Sequence, residues 1–218
     1  MPDAKDVNLD FDRANRTGLA EAVLCTGKSL EQLQTIAQTI VAADQPMLFT
    51  RLDPSQRQHL EQLFPGALEY EPVSRTAFFK PPAMTQSVGL AVVSGGSSDL
   101  PVAKEAVRTL NFYGHKVLEV HDVGVAGLWR LTERLDELRS CRIIICVAGM
   151  DAALPTVLGG LVPAVLFAVP TSIGYGMAQN GETALRSLLV SCAPGITVTN
   201  IDNGYGAACA ALRVANNF

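Results

Sequence analysis

Six residues, Ser94-Gly-Gly-Ser-Ser-Asp99, carry the densest chemistry in this chain of 218 residues. They follow the apolar run Leu90-Ala-Val-Val93 and open onto a helical pattern over 100–110, so they read as strand, tight loop and helix. Adjacent glycines let a backbone approach a ligand closely, Ser97 or Ser98 can cap the helix, and the free N–H groups of its first turn favour an anion. That is the chemistry of a phosphate cradle. Three later apolar runs end as unusually, in His121-Asp122-Val-Gly124-Val-Ala-Gly127, in Ala148-Gly149-Met150-Asp151 and in Pro170-Thr171-Ser172-Ile-Gly174-Tyr175-Gly176. A turn alone would use a lone Gly or Asp at any one of these places. Four such ends on one rim would place two carboxylates, Asp122 and Asp151, beside hydroxyls and glycines suited to a sugar phosphate.

Other stretches stay open between structure and chemistry. Cys192, in Ser191-Cys-Ala-Pro-Gly195, is either a small buried thiol or a nucleophile; a helix C-terminus does not lower a thiol pKa, so activation calls for a nearby cation. Asn200-Ile-Asp202-Asn203-Gly-Tyr-Gly206 is a polar loop that serves a turn, a ligand or a subunit contact. Gly27-Lys28-Ser29 resembles the end of a nucleotide P-loop, but the first glycine of that motif would fall at Ala22, so the loop is missing. Lys28 could still meet a phosphate from a neighbouring loop. The Gly-x-Gly-x-x-Gly fingerprint is absent from 94–99, which argues against an ordinary nicotinamide dehydrogenase.

The elements that must position these residues follow from periodicity. In the first half a short charged helix should end at Gly18, with strands over 20–25, 47–51, 68–71 and 76–79. Ser29 with Gln32 forms a capping box before a helix, and Asp53-Pro54 caps another that runs to about Phe64. Lys80-Pro-Pro-Ala-Met-Thr-Gln86 separates the halves, giving a small α/β domain over 1–86 and a second domain over 87–218. That second domain alternates strands over 87–93, 116–122, 142–147, 164–169 and 196–199 with helices over 99–113, 128–140, 151–161, 181–191 and 207–214. Such alternation means a doubly wound, three-layer parallel sheet, whose ligands bind at the carboxyl ends of the strands.

Composition narrows the partners. The chain is 48% apolar and 17% charged with a net charge of -4, and it has no Lys/Arg block, so neither nucleic acid nor an anionic membrane surface is expected. The polar amino terminus lacks a signal-peptide run, and no apolar stretch is long enough to span a bilayer. The five cysteines are odd in number without Cys-x-x-Cys spacing, which fits reduced thiols in a cytoplasm. Cys25, Cys141, Cys146 and Cys209 sit in or beside apolar runs and read as core, and the scattered His59, His115 and His121 give no metal cluster.

The motifs beginning at Ser94, Asp122, Val147, Val169 and Ile196, together with Asp12-Arg-x-x-Arg16, Gly18 and Gly27-Lys28-Ser29, resemble the LarB family of nickel-pincer-cofactor biosynthesis. The second half is similar to the aminoimidazole ribonucleotide carboxylase/mutase fold, a flavodoxin-like arrangement. The histidines of that purine family are replaced by Val123 and Ala153, so its chemistry should be lost. Resemblance to LarB implies a different carboxylation. Nicotinic acid adenine dinucleotide would take CO2 (or bicarbonate) at C5 of its pyridinium ring and lose AMP by hydrolysis of its phosphoanhydride, leaving pyridinium-3,5-biscarboxylate mononucleotide. Cys192 matches the family's catalytic cysteine and Asp151 its glutamate, one methylene shorter.

The resemblance further implies that Ser94, Gly95, Gly96, Ser97, Ser98 and Asp99 hold the ribose phosphate with Asp122, Gly124, Ala148, Gly149, Met150, Thr171, Ser172, Gly174 and Tyr175. Asp202, Asn203 and Lys28 complete the expected substrate contacts. Mg2+ would balance the anhydride, and a homo-octamer is expected. The same cradle would also serve an aminoimidazole ribonucleotide carboxylase/mutase or a non-catalytic nucleotide-binding regulator.

Overall fold

The computed structural model describes residues 7–217, and the side chains of all of these but 86–88. The polar amino-terminal reading therefore falls mostly on residues outside the description. The chain forms two compact units, Met1–Ala83 and Met84–Phe218, and their division lies within the proline segment 80–86.

In the first unit α1 (Arg13–Thr17) ends at Gly18, whose φ of 74° is a left-handed stop. Then follow β1 (Ala22–Leu24), α2 (Leu30–Ala43), β2 (Met47–Thr50), α3 (Pro54–Leu63), β3 (Glu69–Glu71) and β4 (Thr76–Phe79). Both expected capping boxes form: Ser29 and Gln32 exchange hydrogen bonds before α2, and Asp53 and Gln56 do so before α3. The sheet runs β1-β2-β4-β3, with β1 and β2 parallel and the other pairs antiparallel. Leu33, Ile36 and Ile40 of α2 and Leu60 of α3 close over Phe49 and Phe79 as its core.

The second unit contains β5 (Gln86–Ser94), α4 (Leu100–Phe112), β6 (His115–Val120), α5 (Leu128–Thr132), α6 (Leu135–Arg139) and β7 (Ile143–Ala148). It continues with α7 (Ala153–Gly159), β8 (Val165–Pro170), α8 (Glu182–Leu189), β9 (Ile196–Val198) and α9 (Gly204–Ala215). The five strands are all parallel in the order β6-β5-β7-β8-β9. Residues alternate between its faces. Ala91, Val93, Ile144, Cys146 and Ala168 meet Leu131, Leu138, Leu154, Leu158 and Leu188 of α5 to α8, while α4 and α9 pack together on the opposite face. The fold is thus the expected three-layer α/β sheet. Among the described residues no helix is long and apolar enough to cross a membrane.

Two helices differ most from expectation, and α7 is two residues shorter at each end than the pattern over 151–161. The pattern over 128–140 is split into α5 and α6, because Arg134 N–H bonds back to the Leu131 carbonyl in a tight final turn, yet Leu131, Leu135 and Leu138 all still reach the core. α9 starts three residues before 207. Asn203 caps it by accepting the Gly206 N–H at 2.8 Å, and a Cβ on Gly204 would lie 2.3 Å from the Val102 carbonyl oxygen, so only glycine lets α9 begin against α4.

Candidate active site

The loops after β5, β6 and β7 enclose an open cleft of about 680 Å³. Gly95, Gly96, Ser97, Ser98 and Asp99 line it from β5, Asp122, Gly124, Val125, Ala126 and Arg130 from β6, and Ala148 to Leu154 from β7, with Ile173 entering from β8. The cradle and Asp151 therefore share one cavity, at the carboxyl ends of the strands.

Asp99 holds this rim together. It is buried, and its Oδ1 accepts the Thr171 hydroxyl at 2.6 Å and the Gly149 N–H at 3.1 Å, while Oδ2 accepts the Gly96 N–H at 2.8 Å. Three donors compensate a carboxylate that would otherwise be costly to bury. They also join the loops of β5, β7 and β8. The expected helix caps, Ser97 and Ser98, make no cap and stay exposed; Asp99 stands at the N-cap of α4 without a side-chain cap bond, its carboxylate being engaged by Gly96, Gly149 and Thr171. Thr171 is likewise a strut beneath the site.

The cleft's floor is tight and strained. A Cβ on Gly149 would sit 2.4 Å from Thr171 Oγ1 and 2.5 Å from the Ile173 carbonyl oxygen. Asp122, Met150 and Ala152 all have positive φ, at 57°, 60° and 53°, a conformation that costs a side-chain-bearing residue about 1 kcal/mol or more. The Met150 N–H to Ile173 carbonyl bond at 2.7 Å and the Ala152 N–H to Gly149 carbonyl bond at 3.0 Å hold the β7 loop in this shape. Asp151, between the two strained residues, is exposed and accepts the Ala153 N–H at 3.2 Å. Asp122 forms an ion pair at 3.2 Å with Arg130. Arg130 escaped the sequence reading because it stands eight residues past Asp122, in a helical pattern with no motif around it.

Several expected contacts lie elsewhere. Ser94 is 0% exposed, and its hydroxyl meets His121 Nδ1 at 3.0 Å instead of entering the cleft. His121 Nε2 lies 2.9 Å from Glu119, which also receives Lys104 from α4. The His121 bond first, and then the Lys104 bond, pull the Glu119 carboxyl down to about 2. Serine, histidine and carboxylate are thus aligned as in a hydrolase, but the serine is sealed. The network fastens β5, β6 and α4.

Asp202 accepts the Ser172 N–H at 2.8 Å and ties the loop after β8 to that after β9, while Asn203 is spent on its cap. Ser172, Gly174 and Tyr175 do not line the cleft, and Tyr175 is 77% exposed. Lys28 belongs to the first unit, where its carbonyl accepts from Gln56 at 3.1 Å.

Cys192 is exposed in the turn between α8 and β9. That turn enters β9 from the amino edge of the sheet, whereas Asp151 leaves β7 at the carboxyl edge, so one copy does not bring the two together. Ser191 pins the turn to Thr156 of α7 at 2.7 Å. Burial pushes the Cys25 thiol up to about 12 and raises Cys146 and Cys141 as well, so these three are poor nucleophiles.

The donors do not form a cage for Mg2+. Both Asp99 oxygens are engaged by N–H and O–H donors, Asp122 faces Arg130, and among the described residues no group of three His, Cys, Asp or Glu could hold a metal.

Comparison with known proteins agrees with this architecture. Residues 1–81 match a family model described as the LarB/PurE-like N-terminal domain, and residues 89–217 match AIR carboxylase. An uncharacterised protein of Methanocaldococcus jannaschii is 34% identical over 218 residues, covering 96% of this chain and 84% of that one. An N5-carboxyaminoimidazole ribonucleotide mutase of Pyrococcus horikoshii is 33% identical over 133 residues, covering 57% of this chain and 71% of its own length. A solved PurE2 variant of Treponema denticola aligns with a TM-score of 0.47 at 15% identity, covering 61% of this chain and 90% of that one. With a LarB/PurE-like amino-terminal domain leading into an AIR carboxylase domain, the chain belongs to the LarB family, whose fold is that of carboxylase- and mutase-type enzymes.

Proposed function

We propose that this protein carboxylates C5 of the pyridinium ring of nicotinic acid adenine dinucleotide and hydrolyses the phosphoanhydride, releasing AMP and pyridinium-3,5-biscarboxylate mononucleotide. The observation that carries this reading is Asp151 lining the same cleft as the phosphate cradle. A ribose phosphate seated at 95–98 sets its ring against the β7 loop and its carboxylate.

The chemistry follows from the electronics of the ring. A pyridinium does not attack CO2 until its polarity is reversed. The Cys192 thiolate adds at C4, neutralising the ring nitrogen and leaving an enamine whose C5 is nucleophilic. C5 forms its bond to CO2, Asp151 takes the C5 proton, and the nitrogen lone pair expels the thiolate as aromaticity returns. Water then cleaves the anhydride. Mg2+, held by the substrate phosphates rather than by a protein cage, would offset charge during that cleavage.

On this reading the thiol comes from a second copy, since Cys192 does not line the cleft of its own. Exposed apolar side chains stand beside Cys192, Leu189 at 66% and Val190 at 79%, and on the loop after β8, Tyr175 at 77% and Met177 at 93%, surface of the kind that a subunit contact covers. The test is incubation with the dinucleotide, bicarbonate and Mg2+, followed by mass spectrometry for one added carboxyl and for AMP. Turnover surviving Cys192→Ser removes the covalent mechanism. The mutase relatives make N5-carboxyaminoimidazole ribonucleotide the substrate to run in parallel; against it stand a cleft lined by no histidine, a buried Val123 and Ala153 at the start of α7.

A further inference from the structure

We infer that Arg130 is the side chain that binds the substrate's phosphate, oriented for that task by Asp122 and Gly127; this rests on the cleft being a nucleotide site. Arg130 is the one cationic side chain among the residues lining the cleft. Its Nη1 lies 3.2 Å from Asp122 Oδ2. The rest of the side chain folds back over Gly127, so that a Cβ there would be 2.8 Å from Nε and 3.1 Å from Nη2. Gly127 has φ -117°, so an added Cβ would meet the flexible end of Arg130 and not strain the backbone, and the guanidinium would have to swing away.

Stability does not explain this arrangement. A pair this open to water adds little to stability, while the left-handed φ of Asp122 costs at least as much. Strain without return in stability is what preorganised binding groups show. Asp122 occupies one end of the guanidinium fork and leaves the remaining N–H groups for a second anion. A planar fork matches two phosphate oxygens. The position agrees: a Cβ on Gly124, in the same loop as Asp122, would lie 3.0 Å from the Gly95 carbonyl oxygen, so the β6 loop abuts the cradle on the side away from β7. Arg130 therefore meets the phosphate while Asp151 meets the ring.

The test uses matched ligands with and without a phosphate: nicotinic acid mononucleotide against its riboside, and aminoimidazole ribonucleotide against its riboside, titrated calorimetrically into the full-length protein. Arg130→Gln should weaken binding of the phosphorylated ligand by about tenfold to a hundredfold while leaving the riboside within about twofold. Arg130→Lys should recover only part of the loss, and Gly127→Ala should weaken the phosphorylated ligand by displacing the guanidinium. Equal losses for both members of a pair, or full phosphate affinity in Arg130→Gln, would overturn the inference. Phosphate discrimination with the aminoimidazole pair alone would keep Arg130 in this role and remove the nicotinate reading. A wild-type protein that binds neither nucleotide removes both.

Discussion

Two variants, each inactive alone, should restore one another when mixed. On the proposed mechanism Asp151→Asn lacks the base and Cys192→Ser lacks the nucleophile. β9 begins at Ile196, level with Leu166 of β8 and hence with Ile144 of β7. The four residues from there to the end of β7 rise ~13 Å, and Asp151 lies beyond them, while Cys192 precedes Ile196 on the other side. A ring carbon must lie within about 3–3.5 Å of the sulfur to react. With the Ser191–Thr156 bond fixing the turn, one copy cannot supply both groups, and the proposed mechanism takes the thiol from a neighbour. Random reassembly of equal amounts of the two variants gives about one quarter of sites an intact aspartate from one copy and an intact cysteine from another. The assay is AMP release after the variants are dissociated together and refolded, each alone as control. Recovery near that fraction is expected. If the mixture stays as inactive as its components while refolded wild type regains activity, the shared-site argument is wrong.

Other consequences can be checked separately. Gly149→Ala drives a methyl into Thr171 Oγ1 and should break its bond to Asp99, lowering stability by roughly 2–4 kcal/mol in urea unfolding and abolishing nucleotide binding. Because the Glu119 carboxyl is held at about 2 against an ordinary 4.5, its contribution is complete above pH 4.5 and fades as pH falls towards 2. Unfolding curves of wild type and Glu119→Gln should therefore differ by roughly 1–2 kcal/mol at neutral pH, discounted for partial exposure, and converge near pH 2. Iodoacetamide should label Cys192 ahead of Cys25, Cys141 and Cys146, whose burial raises their thiols, and peptide mass spectrometry would show it.

The capping boxes at Ser29 and Asp53, the stop at Gly18 and the strand–helix alternation of the second unit were legible in the sequence because each depends on residues within about four positions or on a repeating period. Motif order also carried the family, and strand ends named the rim. Side-chain direction was beyond such rules. Asp99 looks like a ligand group by sequence, yet its oxygens are claimed by Gly149 and Thr171, which lie 50 and 72 residues away. Ser94 is turned from the cleft by His121, and Arg130 enters it only because the β6 loop folds back towards Asp122. Cys192 kept its exposure but not its expected neighbour. A parallel sheet sends every strand the same way, so a residue entering β9 and one leaving β7 stand at opposite edges however closely their motifs adjoin. The sequence by itself determined the elements, their order and the residue types at the rim; pairing across the sheet decided which of those side chains face one another.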